Sequence, residues 1–76
     1  MNYLVVYNDN GFKEITAKNI KDCIVQLADW TGDKTELLLK ALNGCELVED
    51  YINMYEYFGS CKINSIFLLQ DTIYKE

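Results

Sequence analysis

Residues 3–16 have the sequence YLVVYNDNGFKEIT, which has the pattern of two strands joined by a turn. Its first half is rich in β-branched and aromatic residues, and residues 1–7 are apolar on both faces of an extended chain, which is typical of a central strand. Residues 8–11 form the strongest turn signal in the chain, because Gly11 can adopt a positive φ and Asx side chains bond to their own backbone. Residues 12–16 then alternate as a second strand. The stretch therefore predicts a β-hairpin.

An amphipathic helix is predicted after the hairpin. Asn19 is a favourable N-cap residue, and Asp22 three positions later completes a pattern like a capping box. Gly32 is a typical helix stop. Between these residues, apolar side chains recur at helical spacing. The inward stripe is expected to contain Ile20, Cys23, Ile24, Leu27 and either Trp30 or Thr31.

A second, short helix is predicted from the next polar residues. Asp33 is expected to be its N-cap, with Glu36 as the third residue of a capping box. Asn43 and Gly44 are expected to end it. Its inner face is expected to contain Leu37, Leu38, Ala41 and Leu42.

Residues 46–58 admit two interpretations. As a strand, residues 51–57 would alternate tyrosine and asparagine with apolar and acidic residues. As a helix, the segment has an acidic first turn, which suits the positive end of the helix dipole, and Gly59 as a stop. We favour the helix. Its inner stripe would then contain Leu47, Tyr51, Met54 or Tyr55, and Phe58.

The last strand is predicted over residues 61–70, and residues 71–76 are expected to form a short tail or to extend that strand. One face of this strand is expected to carry Ile63, Ser65, Phe67 and Leu69. The order ββαααβ predicts an α+β fold in a single domain over residues 1–76: a three-stranded antiparallel sheet, first strand central, with the helices packed on one face in two layers. The other face is expected to be solvated or covered by a partner. Its expected residues are Tyr3, Tyr7 and either Ile66 or Leu68.

Composition limits the partners of the chain. Acidic residues outnumber basic ones 12 to 7, there is no histidine, and the formal net charge is −5. This balance disfavours direct binding to nucleic acid, which requires neutralisation of phosphates, and binding to anionic membranes. The sequence has no export signal and no membrane-spanning run, so we expect a cytoplasmic protein with three reduced cysteines.

The sequence contains no complete catalytic or ligand-binding motif. Residues 32–35 resemble the end of a phosphate-binding loop, but Asp33 stands where that motif needs glycine. Residues 8–11 would place Val6 at the first ligand position of a calcium loop, where it cannot coordinate. A nucleophile would lack a histidine base, and Cys61 beside a lysine is the weak remaining candidate. We therefore expect no enzyme, no cofactor and no metal site.

The third helix and its flanks carry the clearest surface signal. Between residues 41 and 61 there are four acids and no base, with three tyrosines among them. This pattern fits either a solvated acidic face over a tyrosine-rich core or a recognition surface with tyrosine anchors. The candidate partner-binding residues are Glu46, Glu49, Asp50, Asn53, Glu56 and Tyr57. A second acidic group near the helix junction contains Asp29, Asp33 and Glu36.

In size, acidity and lack of catalytic residues, the chain resembles the small proteins that phages and mobile elements use against bacterial defence, of which anti-CRISPR proteins are the best-known group. This is a resemblance of character over the whole chain, without a residue motif. The resemblance implies a non-enzymatic inhibitor or modulator that acts in a bacterial or phage-infected cell. Such a protein would mimic nucleic acid and occupy the basic surface of a larger protein or nucleic-acid-binding complex. Two alternatives remain open: a structural or regulatory protein that forms a homodimer through a free sheet face or edge, and an antitoxin-like neutraliser.

Overall fold

The computed structural model describes residues 1–59 and 62–69. The elements follow the predicted order ββαααβ. They are β1 (Asn2–Tyr7), β2 (Phe12–Thr16), α1 (Ile20–Thr31), α2 (Glu36–Leu42), α3 (Val48–Phe58) and β3 (Ile63–Leu69). The strands form one antiparallel sheet in the order β2-β1-β3, with the first strand central as predicted. The helices pack on one face of this sheet, which gives the predicted α+β architecture in two layers.

The hairpin has a three-residue loop closed by backbone hydrogen bonds. The Tyr7 N–H donates to the Gly11 carbonyl at 2.8 Å, and the Asn10 N–H donates to the Tyr7 carbonyl at 3.0 Å. Asp9 Oδ1 accepts from the Gly11 N–H at 2.9 Å. Asn10, not Gly11, adopts the left-handed conformation, with a φ of 73°. The expectation for Gly11 is therefore wrong, because the loop places its left-handed residue one position earlier, where asparagine is tolerated.

Helix α1 has the predicted caps. Asn19 Oδ1 accepts from the Asp22 N–H at 2.8 Å, and Gly32 ends the helix with a φ of 81°. The predicted inward stripe is confirmed, and Thr31, not Trp30, takes its last position. Trp30 is 65% exposed, and its ring lies 4.5 Å from the Lys13 ammonium. Thr31 takes the inward position instead, because its hydroxyl lies 3.3 Å from the Tyr55 hydroxyl.

Helix α2 begins two residues later than its predicted N-cap implies. Thr35 is the N-cap, and its hydroxyl accepts from the Leu38 N–H at 3.2 Å. Asp33 does not cap α2. Its N–H donates to the Ala28 carbonyl at 2.8 Å and so belongs to the end of α1. Leu38 and Leu42 are buried, whereas Leu37 is 66% exposed, because a seven-residue helix presents only one narrow ridge to the core.

Helix α3 confirms the helical interpretation of residues 46–58. The Asp50 carboxylate accepts from the Leu47 N–H at 3.1 Å and so caps the first turn from within the helix. Tyr55 is fully buried and takes the inward position that the sequence left open between it and Met54. Leu47 is 62% exposed, contrary to prediction, because it precedes the first helical residue and does not share the inward stripe.

Strand β3 contains a bulge. Val6 pairs with Ser65 and Tyr7 pairs with Ile63, so Asn64 is an extra residue without a partner position in β1. The bulge turns Ile63 toward the helices, where it is 4% exposed. The prediction that Ile63 shares a face with Ser65 is therefore wrong. The predicted strand ends at residues 61 and 70, and the tail over residues 71–76, lie outside the described residues.

The core lies between the sheet and the helices. Tyr3 and Val5 are buried there. Leu68 and Ile66 face the same side of the sheet, since they pair directly with Tyr3 and Val5. Tyr7 also packs against this core. These residues were expected on the open face, so that expectation is wrong. The open face instead carries five apolar residues: Leu4, Val6, Phe12, Phe67 and Leu69.

Cys23 and Cys45 are free thiols. Cys23 is fully buried, and burial raises its pKa to about 11. Burial also raises the pKa of Cys45, whose Sγ donates to the Ala41 carbonyl at 3.5 Å. Both act as small, neutral packing residues. Cys61 lies outside the described residues, so the structure does not test the prediction that its thiol is reactive. No helix within residues 1–59 and 62–69 is long and apolar enough to span a membrane.

Candidate protein-binding surface

Helix α3 exposes one ridge and buries the other side. Glu49, Asn53 and Tyr57 are spaced four residues apart and are all exposed, because the same helix turns Tyr55 inward. Residues at this spacing lie one above the other on a helix face. The ridge therefore runs the length of α3 and brings three of the predicted binding residues into line.

Two exposed apolar residues extend this ridge at its N-terminal end. Leu47 is 62% exposed and Val48 is 44% exposed, and they lie between the exposed Glu46 and Glu49. The helical periodicity predicts Leu47 in the core and assigns no side to Val48. Their position before or at the first helical turn, where the inward periodicity does not yet apply, is the signal that could have identified them.

A groove of about 360 Å³ lies between α3 and β3. The residues that line it are Glu49, Ile52, Asn53, Glu56, Ile63 and Asn64. The lining is therefore mainly polar and includes two carboxylates, and none of the described lining residues is basic. Ile63 and Asn64 reach the groove through the bulge in β3, which strand alternation does not predict.

Glu56 and Asp50 contribute negative charge, and their carboxylates also accept hydrogen bonds from backbone N–H groups that stabilise the fold. Glu56 Oε2 accepts from the Ile63 N–H at 2.8 Å and so ties α3 to the start of β3. Asp50 Oδ2 accepts from the Glu46 and Leu47 N–H groups at 3.3 and 3.1 Å. Asp50 also borders a second groove of about 320 Å³ between α2 and α3. Of the six predicted residues near α3, these two are therefore also structural.

The second acidic group lies toward the other end of α3. The Asp33 carboxylate accepts from the Thr31 hydroxyl at 2.8 Å and lies close to Gly59, directly after the last turn of α3. Asp29 and Glu36 are exposed. An 11-residue helix is about 16 Å long. The structure thus separates Asp33 from Glu46 by roughly the length of that helix, whereas Glu56 and Tyr57 lie in the last turn of α3, at the same end as Asp33.

A larger concavity of about 450 Å³ lies at the hairpin end of the sheet. It is lined by Tyr7, Asn8, Asp9, Trp30 and Lys62. Its lining is mainly apolar, and it contains charges of both signs, so it has no clear electrostatic preference. The described charged residues that line the smaller groove beside α3 are all acidic. That groove therefore favours one class of ligand, a basic group, more clearly than the larger concavity does.

The groove beside α3 suits a basic side chain. Carboxylates accept hydrogen bonds from guanidinium and ammonium groups, and the partly buried Ile52 offers an apolar contact for the aliphatic part of a lysine or arginine. Within residues 1–59 and 62–69, no group of three or more His, Cys, Asp or Glu side chains could hold a metal ion.

Comparison of the chain with protein-family models, with curated proteins and with solved structures found no match.

Proposed function

We propose that the chain is a small non-enzymatic binding protein whose α3 ridge and adjoining groove occupy a basic surface on a larger protein. The observation that carries the proposal is the pairing of Glu49 and Glu56 at one mainly polar groove that has no basic residue among its described lining residues. In this proposal, carboxylates stand where the partner otherwise holds phosphates of a nucleic acid. The resemblance in character to anti-defence proteins supports a bacterial nucleic-acid-binding complex as the partner class.

The charge distribution supports long-range attraction to such a partner. The net charge is −5, and Glu46, Glu49 and Glu56 lie on or beside one helix with no base between residues 41 and 61. A surface of one sign raises the rate of association with a complementary surface, and salt weakens that effect.

The ridge also contains residues suited to close contact. Tyr57 is 78% exposed, and its ring meets the Phe58 ring edge-on at a centroid distance of 4.9 Å. Tyrosine supplies a large contact area with few rotatable bonds. Leu47 and Val48 add apolar area at the other end. The proposed surface thus combines charge for attraction with aromatic and aliphatic anchors for affinity.

Charge reversal at Glu46 and Glu49 tests the proposal without disturbing the fold, unlike changes at Asp50 or Glu56. The double variant Glu46→Lys/Glu49→Lys is compared with Asp29→Lys/Glu36→Lys, which changes the net charge by the same amount at exposed positions away from the groove. Each tagged chain is used to capture proteins from a bacterial lysate at low and high salt, and the bound proteins are quantified by mass spectrometry.

We expect the wild type and the Asp29/Glu36 variant to capture the same protein at low salt. The Glu46/Glu49 variant should retain at least about tenfold less of it, in line with the range of electrostatic steering effects. Equal loss in both variants would indicate a general effect of net charge and would contradict the assignment to α3.

A further inference from the structure

The open face of the sheet is a second interaction surface, on the opposite side of the molecule from the helices. Strand pairing places nine residues on it in a three-by-three grid. The rows of the grid are Asn2, Thr16 and Leu69; Leu4, Glu14 and Phe67; and Val6, Phe12 and Ser65. Glu14 is the one charged residue among these nine. The chain's net charge of −5 is therefore carried almost entirely by other parts of the surface.

The apolar residues of the grid form a diagonal stripe. It begins at Leu69 and Phe67 on β3, crosses Leu4 and Val6 on β1, and ends at Phe12 on β2. Phe12 is 72% exposed and Phe67 is 53% exposed. The polar residues fall on either side of the stripe. A contiguous exposed apolar patch of this kind is typical of a protein–protein contact.

The geometry points to a second copy of this chain as the occupant of the stripe, in a twofold dimer with the two sheets face to face. A twofold axis along the stripe lays each apolar stripe on its counterpart. It also moves Glu14, on one side of the stripe, onto Ser65 of the other copy, which lies on the opposite side. The stripe is therefore complementary to itself, and the two Glu14 carboxylates are kept apart.

The crossing angle that this axis implies is one that sheets adopt. With strands about 4.8 Å apart and residues about 3.3 Å apart, the stripe is inclined by roughly 36° to the strands. The strands of two copies then cross at roughly 70°, which is near the orthogonal class of sheet packing. The helices and the α3 ridge remain outside the contact, so a dimer would present two acidic ridges.

The area of the face sets the expected strength. It is about 14 Å wide and 20 Å long, so two fully overlapping copies would cover roughly 560 Å² of projected area, which is typical of a small, weak interface. We therefore expect a weak dimer with a dissociation constant on the order of 100 µM. Its formation should strengthen with salt, because salt screens the repulsion between two acidic chains and does not weaken apolar contact.

Sedimentation velocity of the full chain from about 5 to 500 µM measures this directly. The mass should rise from the monomer value of 8.8 kDa toward twice that value as concentration increases. Leu4 lies close to the twofold axis and so lies near its own counterpart. Leu4→Lys and Leu4→Glu should each be monomeric, and an equimolar mixture of the two should form heterodimers. Leu37→Lys, at an exposed leucine on α2, is the control and should dimerise like the wild type.

A second pair of variants tests the direction of the axis even if Leu4 does not tolerate a charge. Ser65→Lys should bind Glu14 of the other copy and tighten the dimer several-fold, and Ser65→Glu should weaken it several-fold. A wild type that stays monomeric throughout the concentration range would overturn the inference. So would equal effects of the two Ser65 variants. Glu46→Lys/Glu49→Lys should still dimerise, which separates this result from that of the proposed function.

Discussion

Gly59 ends α3 with its backbone pressed against the last helical turn. Its N–H donates to the Tyr55 carbonyl at 2.7 Å, and a Cβ added at this position would lie 2.7 Å from the same oxygen. Its φ of −107° is accessible to any residue. Glycine is therefore required here by space and not by backbone conformation.

Gly59→Ala should lower the free energy of unfolding by about 1–3 kcal/mol, the usual cost of forcing a methyl group into a packed site. Gly44→Ala is the matched control, since its Cβ would lie 3.9 Å from the Ala41 carbonyl, an ordinary contact. Urea unfolding followed by circular dichroism measures both. If the two variants lose the same stability, the close approach at Gly59 has no energetic consequence.

Local signals predicted both ends of α1 but not the residue that begins α2. Gly32 and Asn19 were identified because each makes its hydrogen bonds within four residues of its own position. Asp33 and Thr35 are both good N-cap types two residues apart, and sequence alone does not choose between them. Asp33 is drawn to the end of α1 by its bonds to Ala28 and Thr31, which depend on the completed turn.

The N-terminus of α1 contains an acid-sensitive cap. The Lys18 N–H donates to Asp22 Oδ2 at 3.0 Å, and this bond holds the pKa of Asp22 below its ordinary value of 3.8. Gln26 Nε2 donates to the same oxygen at 3.2 Å. A carboxyl whose pKa is lowered by folding stabilises the folded state above its unfolded pKa, and this contribution is lost as the pH falls through the folded pKa.

Asp22→Asn should therefore be less stable than the wild type at about pH 7, and the difference should shrink toward zero by about pH 2. Asp29→Asn removes one carboxylate from the later part of the same helix and controls for the loss of charge. Urea unfolding midpoints measured across this pH range give the result. A wild-type advantage over Asp22→Asn that is equally large at both ends of the range would rule out the cap as its source.

Strand β3 shows what element-level patterns miss. Its β-branched and aromatic content predicted a strand, and the structure confirms one at Ile63–Leu69. The bulge at Asn64 depends on pairing with β1 and has no local signal in the sequence. It reverses the side on which Ile63 lies and so brings that residue and Asn64 to the groove beside α3. The groove therefore could not be predicted from the sequence, although its acidic wall on α3 was.

The whole molecule has two dissimilar sides. The sequence predicted that helices would cover one face of the sheet, but β1 is apolar on both faces, with Val5 on one side and Leu4 on the other. Alternation alone cannot decide which of them the helices bury. That choice follows from the packing of β1 against α1 and α3, and it leaves Phe12 and Phe67 exposed.

The proposed function depends on the acidic ridge of α3. If its carboxylates replace phosphates, then a nucleic acid and this chain compete for the same surface on the partner. A captured partner should be released when excess duplex DNA or RNA is added at constant ionic strength.

The most direct test is therefore to immobilise the chain, load it with a bacterial lysate at low salt, and elute with a short nucleic-acid duplex. An uncharged polymer at equal mass concentration serves as the control. The account predicts that the duplex, and not the uncharged polymer, releases the protein whose capture depends on Glu46 and Glu49. Retention of that protein in the presence of saturating DNA and RNA would contradict it.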